Sequence, residues 1–221
     1  MPVITAIEVQ KRNKERVNIY LDGTYAFSLN LMDGAKLHRG QTLSDAEIAQ
    51  MQGEDLVVRA VDSAARFLGH RPRSVAEVRQ NLREKDFDAG VIDAALERLM
   101  SMGYLDDRAF ARYWVESRTH FKPLGAAALR FELRQKGVAD AIILETLEVV
   151  DDEAGAYVAA GPLLKRLRGV DRRTARQKIS TTLARRGFAY DDVRSALDRL
   201  FDEAEEADAA FFTGETDDTD T

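Results

Sequence analysis

The feature that most constrains this chain is a set of six apolar positions that recurs three times. Val78, Leu82, Phe87, Ile92, Leu96 and Leu99 are followed 51 residues later by Leu129, Leu133, Val138, Ile143, Leu147 and Val150. A further 50 residues on stand Ile179, Leu183, Phe188, Val193, Leu197 and Leu200. Each set opens with a pair at i, i+4 and closes with i, i+4, i+7 spacing, the pattern of two successive amphipathic helices. Between them lies a short break: Lys85-Asp86-Phe87, Lys136-Gly137-Val138 and Arg186-Gly187-Phe188. Glycine suits a left-handed helix cap at that point in two of the three units. An additional helix precedes each pair, around Ala60–Leu68, Phe110–Arg118 and Tyr157–Leu167. Three helices per unit and three units give nine helices. Units of this period stack as extended arrays and offer long surfaces to macromolecules.

The first thirty residues read differently. Val3–Val9 is rich in β-branched residues, and Val17, Ile19 and Leu21 alternate with polar residues up to Asp22-Gly23, a strong hairpin signal. Tyr25, Phe27 and Leu29 return on what the alternation makes a single face. Ser44 and Glu47 form a capping box that opens a short helix. The expected fold is therefore mainly α: three tandem three-helix, helix-turn-helix-like repeats in an elongated array behind a small antiparallel sheet. The expected boundaries are 1–53 for the sheet and short helix, then 54–103, 104–152 and 153–201 for the repeats. An acidic, disordered tail is expected over 202–221.

The net charge of −6 conceals two opposite regions. Residues 201–221 hold nine acids and no base, which leaves 32 basic and 29 acidic residues, or +3, in the body. Within Lys165–Arg186, nine bases face one acid, for +8. That pairing fits a polyanion-binding surface with a built-in competitor, or a basic patch beside a solubilising tail. The chain has no cysteine, so disulfides and thiolate metal sites are excluded. Met1–Thr5 lacks the basic-then-apolar order of a signal peptide, so none is expected, and the longest uncharged run of concern, Ala154–Leu164, is too short to span a bilayer.

Chemistry-bearing motifs are sparse. Asp106-Asp107, Asp151-Asp152 and Asp191-Asp192 each precede or open a helix, where carboxylates cap free amides and favour the dipole. His38, His70 and His120 lack the spacing of metal ligands. Neither a Rossmann nor a P-loop glycine pattern occurs, so no nucleotide cradle is signalled and an enzyme is disfavoured. Phe110, Tyr113 and Trp114 read as core rather than as a stacking platform. The basic turns before the second helices are the remaining candidates. Arg71-Pro72-Arg73-Ser74 with Glu77, Lys122-Pro123, and Arg172-Arg173-Thr174 with Gln177 read as helix starts that also place cations where phosphate or acidic protein could meet them. The candidate contact residues are Arg71, Arg73, Lys122, Arg172, Arg173, Arg176, Lys178, Arg185 and Arg186.

Taken together, several segments resemble the RecX family. They are Asn18–Gly23 with Tyr25-Ala26-Phe27, Arg71–Ser74 with Glu77, Gly103–Asp107 with Phe110-Ala111, and Glu132–Gly137. The resemblance runs from about residue 3 to about 201. Asp86 departs from it, standing where glycine is usual. The resemblance implies a cytoplasmic modulator that binds the RecA–DNA filament; the tandem units behind a small sheet give the expectation of a monomer. The resemblance also implies modulation, mainly inhibition, of RecA ATPase, strand exchange and coprotease activity in DNA repair, homologous recombination and the SOS response. Contact with single- and double-stranded DNA would be weak and non-specific, and the nucleotide would belong to RecA, so no cofactor is expected in this chain. From the residues alone, a tandem helix-turn-helix transcription regulator and an interaction scaffold remain open.

Overall fold

The computed structural model describes residues 1–213. Strands β1 (Ile4–Val9), β2 (Arg16–Leu21) and β3 (Thr24–Asn30) form an antiparallel sheet in that order. Asp22 and Gly23 both take positive φ, as a two-residue hairpin turn requires. The inner face of the sheet buries Val17, Ile19, Leu21, Phe27 and Leu29 around Ile4 and Leu43. Tyr25 does not join that face. Ile19 pairs with Phe27 while Tyr20 pairs with Tyr25, so Ala26 is an extra residue. This bulge turns Tyr25 outward, where its ring meets Tyr20 edge-on at 6.0 Å.

After a four-residue helix, α1 (Leu31–Gly34), the chain enters α2 (Asp45–Leu68). The Ser44 hydroxyl accepts from the Glu47 amide (3.3 Å) and a Glu47 carboxylate oxygen accepts from the Ser44 amide (2.7 Å), completing the expected capping box. The helix that follows is not short. It continues for 24 residues through Gly53, which nothing crowds, so the expected boundary at 53/54 falls inside one rod. Its first half covers the sheet, with Ile48 and Met51 against that core, and its second half is the first helix of repeat 1.

Repeat 1 continues with α3 (Val75–Arg83) and α4 (Ala89–Ser101). Repeat 2 comprises α5 (Asp107–Phe121), α6 (Ala126–Gln135) and α7 (Asp140–Leu147). Repeat 3 comprises α8 (Asp152–Lys165), α9 (Arg172–Arg185) and α10 (Tyr190–Ala207). Each repeat has its own core, and the recurring apolar set supplies most of it. Fifteen of the eighteen positions are buried, and Phe87, Val150 and Leu200 pack against the clusters as partly buried residues. Each large aliphatic or aromatic side chain so buried contributes about 2 kcal/mol, which makes the repeat pattern the main determinant of the helical fold. The chain is built as two compact units, Met1–Asp106 and the residues from Asp107 onward.

The tail departs from expectation. Helix α10 passes through Asp202 and ends at Ala207, and the chain then folds back onto repeat 3. Phe211 and Phe212 pack against that core, with the Phe212 ring 5.0 Å from that of Phe201, and the Phe211 carbonyl accepts from the Gly169 amide at 2.9 Å. Counting acids alone obscures Phe201 and Ala204, three residues apart on the buried side of α10, and the two phenylalanines beyond. The acids Glu215, Asp217, Asp218 and Asp220 lie outside the described residues.

Candidate functional site

The cations singled out by sequence divide into those that hold the fold together and those that face solvent. At the start of α3, Ser74 caps the Glu77 amide at 3.1 Å and Glu77 reaches back to the Ser74 amide at 3.3 Å. The same carboxylate takes Arg71 at 2.8 Å, and Arg73 lies 3.9 Å away with its guanidinium 4.0 Å above the Phe67 ring. Burial, then the neighbouring Arg71 charge, holds Arg73 below its usual pKa range. Both arginines therefore serve the helix start. Lys122, between α5 and α6, is exposed.

Repeat 3 shows the split most clearly. Its second helix begins at Arg172, and its N-cap is Asp171, which accepts from the Thr174 amide at 2.7 Å. The expected Thr174–Gln177 box is replaced because the stronger Asp cap lies three residues earlier. That shift places Arg172 and Arg173 inside the first turn. Arg172 pairs with Asp202 at 2.9 Å and with Glu205, and Arg176 pairs with Asp198 at 2.5 Å. Both guanidinia also lie over the Phe201 ring, at 5.6 and 5.2 Å. Arg168 pairs with Asp208. The acids of α10 and the turn after it thus engage one side of the basic stretch. Arg173, Lys178 and Arg185 remain exposed, and Arg186 is half-buried. Lys178 and Arg166 flank a depression of about 200 Å³ floored by Leu163, Leu167 and Ile179.

Two arrangements leave no mark in the sequence. In repeat 2, Glu132 accepts from Trp114 Nε1 at 2.8 Å and from Arg118 at 2.7 Å, while Arg118 and Lys136 lie 4.5 and 5.2 Å from the Trp114 ring. Trp114 thus packs against the repeat's core, as expected, and is capped by charge; Tyr113 is exposed. Trp114 and Glu132 stand 18 positions apart, beyond any helical spacing rule. The second arrangement joins repeats 2 and 3. Asp151 caps its own helix through the Ala154 amide at 2.9 Å, whereas both Asp152 oxygens accept from the Ala126 amide of α6 at 3.0 Å. Burial raises the Asp152 pKa, opposed by that amide bond and reinforced by Asp192 and Asp151. Alongside, the Gly125 amide donates to the Arg186 carbonyl at 2.9 Å.

Among the described residues there is no cluster of three potential metal ligands, and no helix is long and apolar enough to cross a membrane. These features define a class: tandem three-helix repeats behind a small sheet, with cations and clefts distributed along them. Similarity to known proteins then fixes the family. The family models for the RecX N-terminal domain and its first, second and third three-helix domains match residues 2–44, 60–99, 106–147 and 156–197. The chain belongs to the RecX family. It is 33% identical over 212 residues to the regulatory protein RecX of Listeria monocytogenes serotype 4b (strain F2365), covering 94% of this chain and 79% of that one. It is 34% identical to the Bacillus subtilis (strain 168) protein of the same name, covering 90% and 78%. A crystal structure of regulatory protein RecX superposes with a TM-score of 0.72 at 27% identity, covering 92% of this chain and 100% of the other.

Proposed function

We propose that this chain binds the RecA–DNA filament in the cytoplasm and slows RecA's ATP hydrolysis, strand exchange and coprotease activity. The observation that carries this reading is the ordered match of all four RecX segments along residues 2–197. The repeats supply the means: folded, separately cored modules presenting exposed Lys122, Arg173, Lys178 and Arg185. Such charges contact phosphate without reading bases, so DNA contact is weak and non-specific, and it falls as salt rises. The protein acts as a monomer, needs no cofactor of its own, and leaves the nucleotide to RecA. Arg172 and Arg176 hold α10, and Arg71 and Arg73 hold the start of α3, so these four shape the surface rather than contact the filament.

A single-strand-dependent RecA ATPase assay tests this reading. Substoichiometric protein should slow ATP turnover and strand exchange, while the protein alone hydrolyses no ATP. RecA turnover left unchanged at equimolar protein would overturn it.

A further inference from the structure

Unit 1 contains a cleft that includes none of the cations of the basic turns or of repeat 3. It has a volume of about 480 Å³ and lies between the β1–β2 turn, α2 and the break between α3 and α4. Asn13 comes from the turn and Arg16 from the start of β2, Arg59, Asp62, Ser63 and Arg66 from α2, and Lys85 and Phe87 from the break. Four cations therefore meet one carboxylate. Two of them already have a partner, although the exposed Lys85 ammonium keeps two further N–H groups to donate. Arg16 pairs through both guanidinium nitrogens with the buried Asp55, at 3.0 and 2.8 Å, which anchors the turn to α2. Lys85 donates to the buried Ser63 hydroxyl at 2.7 Å and makes no ion pair among the described residues.

The other two cations are free. Arg59 and Arg66 are exposed and make no ion pair among the described residues. They stand at i, i+7 on α2, two turns and about 10 Å apart along the axis. Asp62 and Ser63 lie between them on the same face. Asn13 reaches the cleft from the Lys11-Arg12-Asn13-Lys14 turn, whose residues are all exposed. Two guanidinia along one helix, the Lys85 ammonium from the facing break, interspersed hydroxyl and amide groups and the Phe87 side chain suit a repeating, singly charged anion. A single phosphate would need a tighter, more enclosed cradle.

We propose that this cleft holds the sugar–phosphate backbone of a nucleic-acid strand, with Arg59, Arg66 and Lys85 on successive phosphates. The inference deepens the proposed function, since it gives the filament's DNA a contact in unit 1. It is testable without RecA, so its failure and the failure of the RecA reading are distinguishable. The experiment is fluorescence anisotropy of labelled oligo(dT) with the full-length protein at two salt concentrations. The variants are Arg59→Ala with Arg66→Ala, and Arg59→Lys with Arg66→Lys, with melting curves to show that each remains folded. The alanine pair should weaken binding on the order of tenfold and lower the log–log salt slope by about 2, while the lysine pair retains the slope. Unchanged affinity and slope in the alanine pair would overturn the proposal. So would binding of labelled polyglutamate that the alanine pair loses, with no binding of oligo(dT), which would assign the cleft to an acidic protein. Loss of DNA binding with intact RecA inhibition would support the cleft and separate it from RecA contact.

Discussion

The break between second and third helices is built on Asp86 in repeat 1 and on Gly187 in repeat 3, and the two positions tolerate different side chains for different reasons. Both take the left-handed conformation, with φ of +60° and +82°. In repeat 1 the position is exposed, and an aspartate can occupy it. In repeat 3 the same turn is pressed against repeat 2. A Cβ on Gly187 would sit inside contact distance of the Ala128 backbone and side chain, and one on Gly125 would meet the Gly187 carbonyl. A repeated motif thus caps a helix in both units, and in repeat 3 it is also the joint to the neighbouring repeat. The backbone conformation is shared, whereas the intolerance of a side chain comes from the neighbour.

Breaking the joint should have the largest effect. Gly187→Ala combines a left-handed backbone penalty with a backbone clash, and should destabilise by about 3 kcal/mol or more in urea unfolding. Gly103→Ala is the control: Gly103 has φ +74° with nothing near its Cβ position, so only the conformational penalty of about 1 kcal/mol remains. Equal costs for the two would show that the close approach of repeats 2 and 3 contributes nothing.

Asp152 is the electrostatic half of the same joint. Removing its carboxylate leaves the Ala126 amide at the start of α6 without that acceptor, so Asp152→Ala should cost about 1 kcal/mol. Asp152→Asn keeps an oxygen for that amide and removes the charge that burial and Asp192 disfavour. Because the folded pKa is raised, the native state holds the proton more tightly than the unfolded chain. The charged form therefore carries a cost that is full above the folded pKa and disappears below the unfolded value. The asparagine variant should gain on wild type at neutral pH and lose that advantage as pH falls towards the ordinary carboxylate range. An advantage that instead grew on acidification would reverse the assigned sign. Chemical denaturation at several pH values measures it.

The repeated apolar set is legible in the sequence because core burial is periodic and local: Ile92, Leu96 and Leu99 announce their helix by spacing alone. The hairpin at Asp22-Gly23 and the boxes at Ser44 and Ser74 are legible because their chemistry lies within three residues. The bulge at Ala26 is not, since alternation continues through it in sequence while the register slips in space. Nor is the fate of the cations. Arg172 finds its acids 30 and 33 residues later on α10, a pairing that only the packing of two helices can create. Arg59, Arg66 and Lys85 are hidden for the opposite reason. They are scattered in sequence and become neighbours only when the break, the helix and the turn come together.

The smallest effect is expected on the repeat 1 side, at Asp86. An aspartate in the left-handed region is strained relative to glycine, although less than alanine, because its short polar side chain tolerates that region. Glycine removes the strain but adds freedom to the unfolded chain, and the two oppose each other. Asp86→Gly should therefore stabilise by no more than about 0.5 kcal/mol, and Asp86→Ala should destabilise by about 1 kcal/mol. Asp86→Asn separates charge from conformation, since it keeps the tolerance and removes the carboxylate next in sequence to Lys85. If strain governs the site, the asparagine variant should match wild type in urea midpoint, with glycine above both and alanine below. An alanine variant as stable as the glycine variant would mean that φ at this position relaxes without cost. The contrast with Gly187 would then rest on Ala128 alone.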